Sequence, residues 1–228
     1  GPIRGFPMHP HRGIETVTYM LEGSVNHRDS LGNAGLIGPG DVQWMTSGRG
    51  ILHEEMPRRS EQSGVIYGFQ LWVNLPAAQK MSQPRYQEVS AATIPTATKD
   101  GATVRVVAGE WNGTRGPVTE IAASPLYLDV RLAPASRFVL PAPRGHTVVA
   151  YVFEGRGDFA GQDVESVKMV VFGDGDEIEV ESESGVRFML IAGKPFGEPI
   201  VPYGPFVMNT VEEIQQTLME LRNGTFIK

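Results

Sequence analysis

The sequence predicts an all-β protein made of two similar barrels or sandwiches, followed by one C-terminal helix. Three observations carry this prediction. Short runs rich in Val, Ile, Tyr, Phe and Thr recur along the chain, with Gly or Pro clusters bounding several of them. A weak internal repeat returns after ~130 residues, too long a period for a solenoid. Only one segment has the periodicity and the caps of a helix.

In chain order the expected strands are "ETVTYML", "DVQWMTS", "VIYGFQLWVNL", "TVRVVAG", "LYLDVRL", "TVVAYVFEG", "VKMVVFG", "DEIEVES" and "VRFMLIAG". The helix is "NTVEEIQQTLMELRNG". Thr210 and Glu213 form a capping-box pattern, Ile214, Leu218 and Leu221 share a face, and Asn223-Gly224 ends it. The repeat pairs "TVTYMLEGSV" (16–25) with "TVVAYVFEGRG" (147–157). It also pairs "GLIGPGDVQWMTSGRGILHEE" from Gly35 with "VVFGDGDEIEVESESGVRFML" from Val170. The Ala/Pro/Thr-rich stretch "SAATIPTATKDGA" marks the expected boundary, giving domains 1–92 and 93–228, the helix in the second.

The chain of 228 residues suits one large domain or two small ones, and 41% hydrophobic with 20% charged residues is an ordinary globular balance. The 27 Gly and 17 Pro are scattered, as in a turn-rich β protein. A net charge of −6 without a basic patch argues against direct nucleic-acid contact. Cys is absent, which excludes disulfides and thiolate metal sites and fits a reducing compartment, cytoplasmic or nuclear. No apolar run approaches a membrane span. The chain opens without Met and its first residues read like the middle of a domain, so upstream sequence completing the first sheet is expected.

"FPMHPHRGIE" holds two of the five histidines. Residues i and i+2 of a strand share a face, so His9 and His11 project together, and His53 and Glu55 of "GILHEEMP" do the same. Two such pairs on strands that fold back together supply a His₃Glu set. Without sulfur, that set suits Fe(II), Mn(II), Ni(II), Cu(II) or Zn(II) over Ca(II) and leaves positions open on an octahedral ion. Glu15, at an even offset from His11, is a rival fourth ligand by face parity. Glu54 is expected on the opposite face.

"HPHRGIETVTYMLEG", "GPGDVQWMTSGRGILHEEMP" and the C-terminal "GEPIVPYGPFVMNT" closely resemble the pirin family, bicupins of the cupin superfamily. The resemblance implies two tandem cupin-type β-barrels with one divalent metal, most simply Fe(II), in the first and none in the second. The family's ligands carry over onto His9, His11, His53 and Glu55. A general cupin pattern would instead nominate Glu15; the longer match to the pirin motif favours Glu55 and leaves Glu15 as a supporting group or a strand-edge charge.

The resemblance implies either of two functions. Some pirins are similar to quercetin 2,3-dioxygenases, which open the heterocyclic ring of a flavonol with O₂ and release carbon monoxide; there Glu55 serves as the general base. Others are non-enzymatic, redox-responsive partners of transcription factors or metabolic enzymes, and the acidic charge suits a protein partner. A monomer is expected, and no substrate-binding residue is legible.

The remaining polar residues have plainer readings. His27 is expected at the surface or the pocket rim, and His146 has no companion ligand. One of Trp44 and Met45 should face the barrel interior. Arg12, Arg49, Arg58 and Arg59 read as solvated charges, and "GPGD" and "GDGD" as turns between strands. No motif supports a Ser-His-Asp arrangement.

Overall fold

Strand-forming runs separated by glycine turns close into two β units in the computed structural model, which describes residues 4–122 and 125–228. The first unit comprises the chain up to Ala91 together with Gly197–Lys228, and the second Ala92–Phe196. The first contains β1 (Phe6–His11), β2 (Ile14–Glu22), β3 (Ser24–Asp29), β4 (Ala34–Ile37), β5 (Val42–Thr46), β6 (Ile51–Arg58), β7 (Tyr67–Asn74) and β8 (Arg85–Val89). They form two antiparallel sheets, ordered β1-β6-β3-β4 and β7-β2-β5-β8. Side-chain contacts such as Thr18 with Glu55 and His27 with Tyr86 show the sheets lying face to face. Trp44 and Met45 are both fully buried, whereas the sequence assigned only one to the interior; β5 is a central strand covered on both faces.

The second unit contains β9 (Thr96–Lys99), β10 (Ala102–Ala108), β11 (Glu110–Trp111), β12 (Thr114–Arg115), β13 (Leu126–Leu132), β14 (Ser136–Pro141), β15 (Thr147–Phe159), β16 (Gln162–Glu165), β17 (Lys168–Val171), β18 (Glu177–Ser182) and β19 (Val186–Gly193). Its main path runs β14-β18-β15-β19-β13-β10-β9. The long β15 pairs with β19 along most of its length and with β18 at its end, which curls the sheet around an apolar core.

Strand pairing aligns the two units residue by residue. β19 lies between β13 and β15 as β6 lies between β1 and β3, and β17 pairs with β15 as β4 pairs with β3. The repeat from Gly35 and Val170 is therefore real in register. The pairing of 16–25 with 147–157 is not. The first half of β15 takes the place of β3, and β14, paired with β18, takes the place of β2. A β-branched run ending in Glu-Gly fits any strand that enters a glycine turn, so its likeness carries no register.

The chain then returns to the first unit through β20 (Val201–Tyr203), β21 (Phe206–Met208) and α1 (Val211–Arg222). The expected capping box is present: Thr210 Oγ1 accepts from the Glu213 amide, and Glu213 accepts from the Thr210 amide. The helix was expected in the second domain, but its partners are in the first. Arg12, read as solvated, is 1% exposed. Its guanidinium donates to the Arg49 carbonyl, to Thr217 Oγ1 and, at 2.6 Å, to Glu220 Oε2, and it lies over the Phe226 ring. Arg49 is half-buried and donates to the Lys228 carbonyl, while Arg58 and Arg59 are exposed as expected. The buried Lys80 ammonium donates to the carbonyls of Gly13 and Val207 and to Asn74 Oδ1. Gly13 has φ +81°, and a Cβ there would collide with the Val207 carbonyl, so only glycine lets the tail seat so closely.

Burial raises the Glu220 carboxyl's pKa, but hydrogen bonds from Gln216, Lys228 and Arg12 outweigh it and bring it down to about 2. Removing Arg12 leaves the buried Glu220 Oε2 without its ion partner and empties the space of a fully buried guanidinium, while Gln216 and Lys228 still hold Oε1. Arg12→Ala should therefore lower unfolding stability by about 3–5 kcal/mol, and Arg58→Ala by under about 0.5 kcal/mol, in urea titrations.

Candidate metal centre

The site begins with strand alternation. His9 lies opposite His53, and His53 in turn lies opposite Asp29; Glu55 lies opposite His27. Opposed residues share a face, and so do residues two apart, so His9, His11, His53, Glu55, His27 and Asp29 all project from one side of the sheet. That side faces the second sheet. Glu54 points the other way, as expected, and pairs with Arg28 at 2.8 Å.

His9, His11 and His53 come together. Their ring centroids are 4.3–5.0 Å apart, and one ligand atom from each lies within 4.8 Å of the others. The hydrogen bonds of His9 and His11 define their tautomers. His9 Nδ1 is 2.8 Å from the Pro7 carbonyl and His11 Nδ1 is 3.2 Å from the Pro205 carbonyl. Carbonyls only accept, so each Nδ1 carries a hydrogen and each Nε2 presents a lone pair. The two Nε2 atoms are 3.2 Å apart. With both lone pairs facing inward neither atom donates to the other, and a cation between them relieves the conflict. Two nitrogens ~2.1 Å from one ion lie ~3.0 Å apart at a right angle and ~3.4 Å apart at a tetrahedral one, which brackets the observed spacing.

His53 completes the set. It is fully buried, and neither ring nitrogen has a hydrogen-bond partner. Such an orphaned polar pair is costly unless something absent from the protein chain satisfies it. Burial pushes the His53 pKa down to about 2, helped by neighbouring His11, His9 and His27, and pushes His11 down to about 4, with His9 adding to the effect. His11 and His53 are thus neutral near pH 7, the state that binds a metal.

Both rival carboxylates lie outside the three-histidine set. Glu55 accepts from Gln70 Nε2 at both oxygens, 3.0 and 2.8 Å, and from Thr18 Oγ1 at 3.2 Å. Glu15 is buried in the opposite sheet and accepts from Thr46 Oγ1 at 2.7 Å. A cleft of ≈ 360 Å³ opens over Glu55, Thr18 and Gln70, with Phe6, Met20, Val25, Ile66 and Phe69 as apolar walls. Trp72 stands edge-on to His11, ring centroids 5.2 Å apart, and is half exposed.

His27 overturns its surface reading. It is 2% exposed, stacked on Tyr86 at 5.0 Å, and its ring lies 5.4 Å from that of His53. Its place follows from its register opposite Glu55, which strand spacing in sequence does not reveal. His146 is half-buried in a turn of the second unit. There the positions of His9, His11, His27, Asp29, His53 and Glu55 are taken by Val130, Leu132, Ala150, Val152, Phe188 and Leu190, all buried. Six side chains without a ligating atom stand where the first unit has its polar face.

Comparison with known proteins places the chain in a family. The "Pirin" family model matches residues 2–73, and the "Pirin C-terminal cupin domain" model matches residues 127–227. Human pirin is 47% identical over 227 residues, covering 96% of this chain and 77% of its own. The chain belongs to the pirin family. Its two β units are accordingly cupin domains. A solved quercetin 2,3-dioxygenase from Acinetobacter baumannii is 37% identical, with a TM-score of 0.91, covering 99% of this chain and 81% of its own. A bacterial pirin of Escherichia coli, solved in complex with nickel(II), shares the fold at 23% identity and a TM-score of 0.68, over 85% of this chain and 78% of its own.

Beyond the four family positions, sequence reading missed Thr18, Gln70, His27 and the Pro205 carbonyl. None has a motif of its own; each reaches the site through pairing across a sheet or through the returning tail.

Two outcomes follow. The purified protein should bind one equivalent of Zn(II) or Ni(II) with a rise in thermal midpoint, and His53→Ala should abolish both, measured by metal analysis and calorimetry. Histidines with pKa lowered from 6.5 in the unfolded chain to about 4 (His11) and about 2 (His53) make the unfolded state take up more protons. Stability of the metal-free protein should therefore fall as pH drops from about 6.5 to 4, and His53→Phe should flatten that loss in urea titrations at stepped pH.

Proposed function

We propose that this chain is a metal-dependent dioxygenase that opens the heterocyclic ring of quercetin-type flavonols with O₂. One observation carries the reading: three clustered imidazoles share a sheet face with a carboxylate, Glu55, that lines an apolar cleft. In this reading His9, His11 and His53 hold one divalent ion, most simply Fe(II), with Glu55 as the fourth, oxygen donor. The bound ion supplies Lewis acidity and open positions for substrate and O₂. The protein supplies the rest. Phe6, Met20, Ile66 and Phe69 accept a flat aromatic skeleton and exclude water from it. The Glu55 carboxylate, which lines the cleft, takes the proton of the flavonol hydroxyl as a general base.

The likeness to the Acinetobacter baumannii quercetin 2,3-dioxygenase, at 37% identity over nearly the whole chain, supports this choice of substrate class. The histidine chemistry is compatible with several first-row ions, so the metal is itself a variable of the test.

The experiment is anaerobic reconstitution with Fe(II), Mn(II), Ni(II), Cu(II) or Zn(II), then exposure to O₂ and quercetin. Quercetin loss with carbon monoxide release is expected for at least one ion. His9→Ala should reduce it by more than about 100-fold, beyond the loss seen when only a ligand's hydrogen-bond partner is removed. Turnover absent with every ion, or indifferent to His9→Ala, would refute the proposal.

A further inference from the structure

His9 and His11 are each oriented by a backbone carbonyl, but among the described residues no hydrogen bond orients His53. We propose that His27 is a positioning residue, whose Nδ1 accepts a hydrogen bond from the His53 ring nitrogen turned away from His9 and His11. The inference rests on the metal reading of the same site and deepens it, because it names what aims the His53 lone pair.

The two sides of His53 differ. β6 lies between β1 and β3, and His53 is opposite His9 on one side and Asp29 on the other. The rings of His9 and His11 are 4.3 and 4.9 Å from that of His53, centroid to centroid. The ring of His27 is 5.4 Å away, at an interplanar angle of 52°. Two imidazoles joined by one hydrogen bond of ~3 Å, each ring adding ~1.1 Å, have centroids ~5 Å apart. The pair thus stands at bonding separation, and rotation about χ2, a soft torsion in histidine, closes the bond.

The tautomer of His27 is the one that accepts. Its Nε2 stands 3.4 Å from Asp29 Oδ2. The amides of Leu31 and Asn33 donate to Asp29 Oδ1, and Asn33 Nδ2 donates to Oδ2. A carboxylate so held is an acceptor, so His27 Nε2 carries the hydrogen and Nδ1 keeps its lone pair. That Nδ1 is buried and, among the described residues, has no hydrogen-bond partner. His53 is complementary, since an imidazole that gives one lone pair to an ion carries hydrogen on its other nitrogen. A buried donor and a buried acceptor therefore stand unanswered on neighbouring rings.

Tyr86 of the facing sheet stacks on His27 at 5.0 Å and 25°, and so fixes the plane of its ring. In the second unit Asp29, His27 and His53 are replaced together, by Val152, Ala150 and Phe188. The chain from Asp29 through His27 to His53 settles which nitrogen faces the other two histidines, and it strengthens that nitrogen as a donor.

A plainer role fits the same place: His27 only fills space between Tyr86 and His53. The two roles rank two variants in opposite orders. His27→Phe keeps a ring and removes the acceptor, whereas His27→Asn removes the ring and keeps an oxygen near the place of Nδ1. Zn(II) affinity is measured by chelator competition. His27→Phe should bind at least about tenfold more weakly than the native protein, and His27→Asn should recover most of that loss. Nitrogen-15 NMR of the native protein reads the bond without any variant. His27 should carry hydrogen on Nε2 and none on Nδ1, and the Zn(II) form should show coupling between a His53 nitrogen and His27 Nδ1.

Native-like affinity in His27→Phe, or hydrogen on His27 Nδ1, would overturn the positioning role and leave the metal reading standing. Equal losses in both variants would overturn it as well; one nitrogen neighbour fewer by X-ray absorption would then make His27 a ligand. Absence of Zn(II) binding by the native protein would overturn the metal reading and this inference together.

Discussion

The arrangement of the first unit depends on one constraint: three imidazoles clustered on one sheet face, His11 and His53 buried and neutral and His9 half-buried beside them. Water would normally satisfy such groups, and burial removes it. The protein keeps them in place by fixing their outer nitrogens, His9 on the Pro7 carbonyl and His11 on the Pro205 carbonyl. Their inner nitrogens are left without a protein partner that can answer them, as are both nitrogens of His53. A fold tolerates this polarity where something else completes it. Among the described residues, all the buried polar and charged side chains except Asp129 and Ser182 belong to this unit.

The returning tail is part of that constraint. The Pro205 carbonyl lies in the tight turn between β20 and β21, and the turn is held by the Val207 amide on the Arg12 carbonyl and by Lys80 on the Val207 carbonyl. Arg12, adjacent to His11, then locks α1 through Thr217 and Glu220. Helix, hairpin and His11 are therefore one packed assembly. This is the physical reason that the helix belongs with the first unit, although a whole barrel intervenes in sequence.

The second unit shows the same strand pairing with the polarity removed. Where the first has His9, His53 and Glu55, it has Val130, Phe188 and Leu190, and Phe188 packs edge-on to Phe138 and Phe159. Each such ring or aliphatic side chain contributes about 1.5–3 kcal/mol on burial. The first unit gives up that stabilisation along one face of one sheet and fills the space with histidines, carboxylates and part of a cleft.

Much was legible in the sequence. Strand alternation put His9 beside His11 and His53 beside Glu55, and the helix was marked by its caps, because these are relations between residues close along the chain. The motifs around them were long enough to name the family. The tertiary structure alone decided the rest. It made Arg12 a buried partner of Glu220, brought His27 behind His53, seated Pro205 on His11, and set Thr18 and Gln70 on Glu55. It also corrected the first half of the repeat, since β15 takes the place of β3. Alternation tells which face a side chain takes; which other side chain it meets there depends on sheet register and chain return, and those are fixed only when distant strands pair.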